Sequence, residues 1–106
     1  MGTVRGRAWE EQLLELAQRL GWRRAHFRPL QTKDGRWRTP VSGDGAGFPD
    51  LVLVRGERLI VAEAKAGRAS TTPEQRAWLD ALDAVPGVEA YVWRPEQWDE
   101  IVATLR

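Results

Sequence analysis

Asp50, Glu63 and Lys65 are charged residues set within, or at the edge of, apolar strand-like sequence. They sit in Gly47-Phe48-Pro49-Asp50-Leu51-Val52-Leu53-Val54, then Arg55-Gly56-Glu57-Arg58, then Leu59-Ile60-Val61-Ala62-Glu63-Ala64-Lys65. Charged side chains are seldom buried unless paired or bound to a metal. Two acids with an ammonium beside them ask for a divalent cation. The chemistry open to such a set is hydrolysis of a phosphate ester. Carboxylate oxygens hold a hard cation. A nearby ammonium orients the attacking water or stabilises charge that develops on the phosphorus-bound oxygens. The plainer alternative for Lys65 is a salt bridge to Glu63 or Asp50.

The elements that must position these groups follow from pattern. The two runs are rich in Val, Leu and Ile and are separated by a Gly-containing turn, which predicts a β-hairpin. A two-residue turn at Gly56-Glu57, with Gly first, suits type II′. Partner numbers then sum to 113, which puts Asp50 directly opposite Glu63. Opposite Cβ atoms lie about 4.5–5.5 Å apart, where two carboxylates repel unless a cation sits between them. Side chains alternate between faces, so Glu63 and Lys65 share one.

Trp9, Leu13, Leu16, Ala17 and Leu20 carry helical spacing and predict a helix over 5–20, closed by Gly21. On that helix Glu10 borders the apolar stripe, whereas Glu11 points to water. Glu10 is thus able to lean into a site or to serve as a favourable acid in the first turn. A strand is expected at 22–28, with Ala25 and Phe27 on one face and His26 and Arg28 on the other. Residues 29–49 read as a long polar loop, a length that is uncommon unless the loop is functional or disordered. Asp34-Gly35 could turn a small β-ribbon there, with Trp37 near its tip. Trp37 either stacks on an exposed base or packs under the loop.

Thr72, Pro73 and Gln75 make a capping box that starts a second helix. Gln75, Trp78, Ala81, Leu82 and Val85 share the face expected to meet the protein body. A strand at 88–93 and a helix at 95–105, with Trp98, Ile101, Val102 and Leu105 inward, complete the chain. The order is α-β-β-β-α-β-α, an α/β fold with a mixed sheet flanked by helices.

The 106 residues fit one domain, and 42% hydrophobic content with six Trp supplies a core. There is no Cys, which excludes disulfides, thiolate zinc sites and thiol nucleophiles. No apolar run approaches membrane-spanning length and no signal-peptide pattern is apparent, so a cytosolic protein without membrane contact is expected. The net charge of +1 is uneven: residues 22–40 carry Arg23, Arg24, Arg28, Lys33, Arg36 and Arg38 against Asp34, a local +5. Such a stretch is either a solvated basic loop or a phosphate-backbone contact. The acids nearby favour the second.

Pro49-Asp50, a twelve-residue gap and Glu63-Ala64-Lys65 resemble the PD-(D/E)xK nuclease superfamily. The segment Trp9-Glu10-Glu11-Gln12-Leu13 to Leu20-Gly21-Trp22 looks like the opening helix of such nucleases. With Gly47-Phe48-Pro49-Asp50-Leu51 and Thr72-Pro73-Glu74-Gln75-Arg76, nearly the whole chain is similar to the VRR-NUC (virus-type replication-repair nuclease) family, in particular its small phage and prophage members. The resemblance implies a restriction-endonuclease-like core. It also implies a structure-selective DNA endonuclease of Holliday-junction-resolvase type, acting on branched or junction DNA in a bacterial or phage-infected host cytosol. Asp50, Glu63 and the Ala64 carbonyl would hold Mg²⁺, with Mn²⁺ as a substitute, and Lys65 would assist catalysis. Related resolvases place a metal-site glutamate eleven residues before the glycine, which matches Glu10. Other family members carry theirs about one turn earlier, where this chain has Gly6. A glutamine at Gln75 belongs to the family's active-site signature. His26, Arg28, Lys33, Arg36 and Arg38 are the candidate DNA contacts, and symmetric cutting of a junction favours a homodimer. The rivals are a non-catalytic DNA-binding module that keeps the fold, a domain whose charges form only ion pairs, and a sequence-specific restriction-type nuclease.

Overall fold

The computed structural model describes residues 6–106; Arg5, the expected first residue of the opening helix, lies outside them. Helix α1 runs Gly6–Arg19. Trp9, Leu13 and Ala17 are buried at spacings of four, and Gly21 ends the helix with a φ of +83°. Strand β1 is Arg23–His26, shorter than the expected 22–28. Phe27 leaves the strand, although its N–H still donates to the Asp50 carbonyl at 2.8 Å.

Two short strands interrupt the expected loop at 29–49: β2, Leu30–Gln31, and β3, Trp37–Arg38. They pair antiparallel, Leu30 with Arg38 and Gln31 with Trp37, as a ribbon separate from the main sheet. Gly35, at φ +85°, allows the turn between them.

Strands β4, Leu51–Arg55, and β5, Arg58–Ala64, form the hairpin. Leu51 faces Ala62 and Arg55 faces Arg58, the register expected from a two-residue turn. Gly56 has φ +59° while Glu57 does not take positive φ, as type II′ requires. Helix α2 spans Pro73–Asp83 and β6 spans Val88–Trp93. A single 3₁₀ turn, Pro95–Gln97, precedes α3, Trp98–Leu105, where one continuous helix was expected.

The main sheet is ordered β1-β4-β5-β6, with β6 parallel to β5 and the other neighbours antiparallel. Period-two alternation gives it two faces. Leu51, Leu53, Ile60 and Ala62 join Trp9, Leu13, Trp93, Ile101 and Leu105 in the core under α1 and α3. Burying each of these Leu or Ile side chains stabilises the fold by about 1.5–3 kcal/mol. Val61 and Glu63 point to the opposite face, toward α2. There Leu79 is the buried helix residue, and Leu82 is half-buried. Ala81 and Val85, expected to face inward, are exposed. Trp98 packs edge-on against Trp9 but keeps a third of its surface in solvent.

Two main-chain acceptors tie the elements together. The Trp93 carbonyl receives the indole N–H of Trp9 at 2.9 Å and the backbone N–H of Lys65 at 3.0 Å. The Leu105 carbonyl receives the Trp22 indole at 2.8 Å and Arg55 at 2.8 Å. Arg58 donates to the Thr104 carbonyl at 3.0 Å and to both oxygens of Glu89, while both guanidiniums lie over the Trp22 ring. These cations close the C-terminus of α3, where unpaired carbonyls and the helix dipole favour positive charge. Among the described residues no helix is long and apolar enough to cross a membrane.

Candidate active site

The hairpin register brings Asp50, one residue before β4, up to Glu63 near the end of β5. A carboxylate oxygen of Asp50 accepts the Ala64 N–H at 3.1 Å, so the aspartate is pinned against residues 63–65. Glu63 is 2% exposed and is the buried charged residue of the described chain. One of its oxygens, Oε1, accepts the Gln75 side-chain N–H at 3.0 Å and lies 3.8 Å from the Lys65 ammonium. The other, Oε2, is buried with no hydrogen-bond partner. A buried carboxylate oxygen without a donor is costly.

Burial first, and the adjacent Asp50 carboxylate second, push the Glu63 pKa up to about 8, against a smaller opposing pull from Lys65. At neutral pH without a cation, Glu63 is therefore driven toward its protonated form. A dication would take the place of that proton. The donor set fits one: two carboxylates of hard oxygen and a buried lone pair with nothing to bind. Among the described residues, no three His, Cys, Asp or Glu side chains gather into a complete metal cage.

Gln75 holds two places at once. The Thr72 hydroxyl accepts the Gln75 backbone N–H at 3.2 Å, and the Gln75 side-chain carbonyl accepts the Thr72 N–H at 2.9 Å. The amide nitrogen remains free for Glu63. The two sequence readings of this residue, helix cap and site residue, are compatible because its oxygen serves the first and its nitrogen the second.

Glu10 is half-buried on α1, and its carboxylate lies 3.1 Å from a ring nitrogen of His26. Burial and the charge of Asp50 raise the Glu10 pKa, with His26 and Arg28 pulling the other way. His26 thus faces inward to an acid, and Glu10 stands within electrostatic reach of Asp50. Glu11 is exposed, 3.7 Å from Arg28. The remaining candidate cations, Lys33, Arg36 and Arg38, are exposed on or beside the ribbon, and Arg36 lies 3.5 Å from Asp34. Trp37 is 67% exposed, so it does not pack under the loop.

A groove of about 960 Å³ opens beside the acids, between the ribbon and residues 39–48. Phe27, Leu30, Pro40, Val41 and Phe48 contribute its apolar walls, and Asp50 and Gln75 also line it. None of these wall residues stands out in the sequence as a site residue. Their signal was weak: isolated apolar side chains scattered through polar, Pro- and Gly-containing sequence. Phe48 meets Phe27 and Trp78 edge-to-face, and the Trp78 indole donates to the Asp44 carbonyl at 2.8 Å. Gly47 runs so close to α2 that a Cβ there would sit 2.6 Å from the carbonyl carbon of Glu74.

A family model described as the VRR-NUC domain matches residues 5–96. No curated protein and no solved structure matches the chain.

Proposed function

Because the chain belongs to the VRR-NUC domain family, a family of nucleases, we propose that it is a metal-dependent DNA endonuclease whose centre is Asp50, Glu63 and Lys65. The observation that carries this reading is the partnerless oxygen of buried Glu63, beside a second carboxylate and 3.8 Å across its other oxygen from an ammonium. Asp50, Glu63 and the Ala64 carbonyl would hold Mg²⁺, with Mn²⁺ able to replace it. That cation supplies Lewis acidity toward the scissile phosphate and the attacking water. Lys65 stabilises negative charge as it builds on the phosphate oxygens. Gln75 fixes the orientation of Glu63 through its amide. Glu10, held by His26, adds negative charge at the edge of the site and would act on the cation from there. Arg28, Lys33, Arg36 and Arg38 contact the phosphate backbone. Branched DNA, with a four-way junction cut by a homodimer, is the substrate that the family resemblance favours.

The test is cleavage of labelled linear duplex, flap, fork and four-way-junction DNA, with Mg²⁺ or with EDTA. Wild type is expected to cut only with the metal. Asp50→Ala is expected to fold, as judged by circular dichroism, and not to cut. Equal cutting by Asp50→Ala would refute the site.

A further inference from the structure

The groove beside the acids has walls that a phosphate backbone does not call for. Phosphates are held by cations, backbone amides and hydroxyls. Here Phe27, Leu30, Pro40, Val41 and Phe48 line a concave space that Asp50 and Gln75 line as well. Leu30 is 58% exposed, Val41 52% and Phe27 43%, so apolar surface faces solvent along the approach to the site. Its volume of about 960 Å³ is at the upper end of small-ligand pockets. Arg38 lines the same space, and Lys33 and Arg36 lie on the same ribbon. Apolar and aromatic walls flanked by cations match a single strand: bases stack on the first and the backbone tracks the second. A base inside a duplex has its faces covered by its neighbours and cannot enter such a groove. A base out of the stack can.

We propose that this groove seats an unpaired nucleobase next to the phosphodiester that the acids cut, so that the preferred substrate carries an unpaired nucleotide at the cut. The inference rests on the nuclease reading for what happens at Asp50, but binding by the groove can be read without cutting. The base sits between the ribbon and residues 39–48, and its phosphate lies beside Asp50, which lines the same groove. The ribbon cations hold the strand on the solvent side.

The test is fluorescence anisotropy in EDTA with three labelled DNAs of one sequence: a paired duplex, the same duplex with a short unpaired bulge, and the bulge with abasic sites in place of its bases. Wild type is expected to bind the bulged DNA at least tenfold more tightly than the other two. Leu30→Gln and Val41→Asn change no charge, and each is expected to reduce that ratio at least fivefold while keeping the wild-type circular dichroism spectrum. Equal affinity for the three DNAs overturns the seat, as does a ratio that both variants leave intact. Binding to none of them also overturns it and leaves the groove to a peptide. Cleavage of the same DNAs with Mg²⁺ separates the two readings. Cutting that needs Asp50 but ignores the bulge overturns the seat and keeps the nuclease. Bulge-selective binding without any cutting keeps the seat and overturns the nuclease.

Discussion

At the scale of single residues, the side chain of Gln75 separates two contributions that a simple deletion would confuse. Gln75→Ala removes the donor to Glu63 and the side-chain half of the capping box but leaves the Thr72 hydroxyl on the backbone N–H of residue 75, so stability is expected to fall by no more than about 1 kcal/mol along with cutting. Gln75→Glu keeps an acceptor for the Thr72 N–H, as capping boxes with Glu do. It replaces the amide donor with a second acid facing Glu63. Cutting is expected to drop at least tenfold while urea denaturation in EDTA shows the cap retained at acidic pH. Lys65→Ala is expected to lower the single-turnover cleavage rate by about 10²–10³ with little change in DNA affinity, because its ammonium acts on charge that appears only as the bond breaks. Glu63 also has a pH signature. Its folded pKa lies above the unfolded one, so the metal-free protein binds a proton that the unfolded chain has lost. Stability in EDTA should therefore fall as pH rises from about 4.5 to about 8 and level off beyond it. Melting curves of Glu63→Gln should lack that component. If the wild-type decline matches that of the variant, Glu63 does not carry the proton assigned to it.

At the scale of elements, Gly47 brings the loop before β4 against the first turn of α2. Gly47→Ala puts a methyl group within 2.6–2.8 Å of Glu74 and Gln75 atoms at φ +84°. Strain and overpacking together are expected to cost about 1–3 kcal/mol in chemical denaturation. Because the displaced turn carries Gln75, activity should suffer too. These elements differ in how plainly the sequence announced them. Gly56-Glu57 sets the hairpin register because a two-residue type II′ turn leaves no freedom, and Thr72-Pro73 with Gln75 marks a helix start by local chemistry alone. The facing of α2 was harder to read. Leu79 and Leu82 are buried or half-buried, yet Trp78 drew the expected stripe toward Ala81 and Val85, because a large aromatic counts heavily in a periodic pattern. Trp78 instead leans sideways to reach the Asp44 carbonyl, a partner 34 residues away. The ribbon strands, two residues each, are too short for periodicity to show. Glu10 and His26 were each legible as candidates, but their pairing is a tertiary contact that no local pattern encodes.

At the scale of the whole molecule, positive charge has two separate uses. Arg55 and Arg58 hold the end of α3 and cover Trp22, far along the hairpin from the acids. Arg55→Met is expected to lower the melting temperature by several degrees and to leave the cleavage rate of the folded protein near wild type. A large loss of DNA affinity in that variant would move Arg55 into the nucleic-acid surface. The cations of the ribbon should behave in the opposite way: Arg38→Ala is expected to weaken DNA binding and to flatten its salt dependence, with little change in the melting temperature. Only the second group lies within a sequence stretch whose local charge of +5 stands out. The clamp arginines look ordinary in sequence because their partners, the carbonyls of Leu20 and residues 104–106 and the Glu89 carboxylate, lie more than 30 residues away.

The Trp93 carbonyl has a consequence for how this architecture can vary. Its oxygen sets the height of Trp9, next to Glu10, and of the Lys65 backbone. No side-chain replacement at position 93 removes that oxygen, whereas a single-residue deletion within residues 88–92 of β6 would shift it along the strand by about 3.3 Å. The spacing between the helix acid and the strand ammonium thus hangs on the length of that strand more directly than on any one of its side chains.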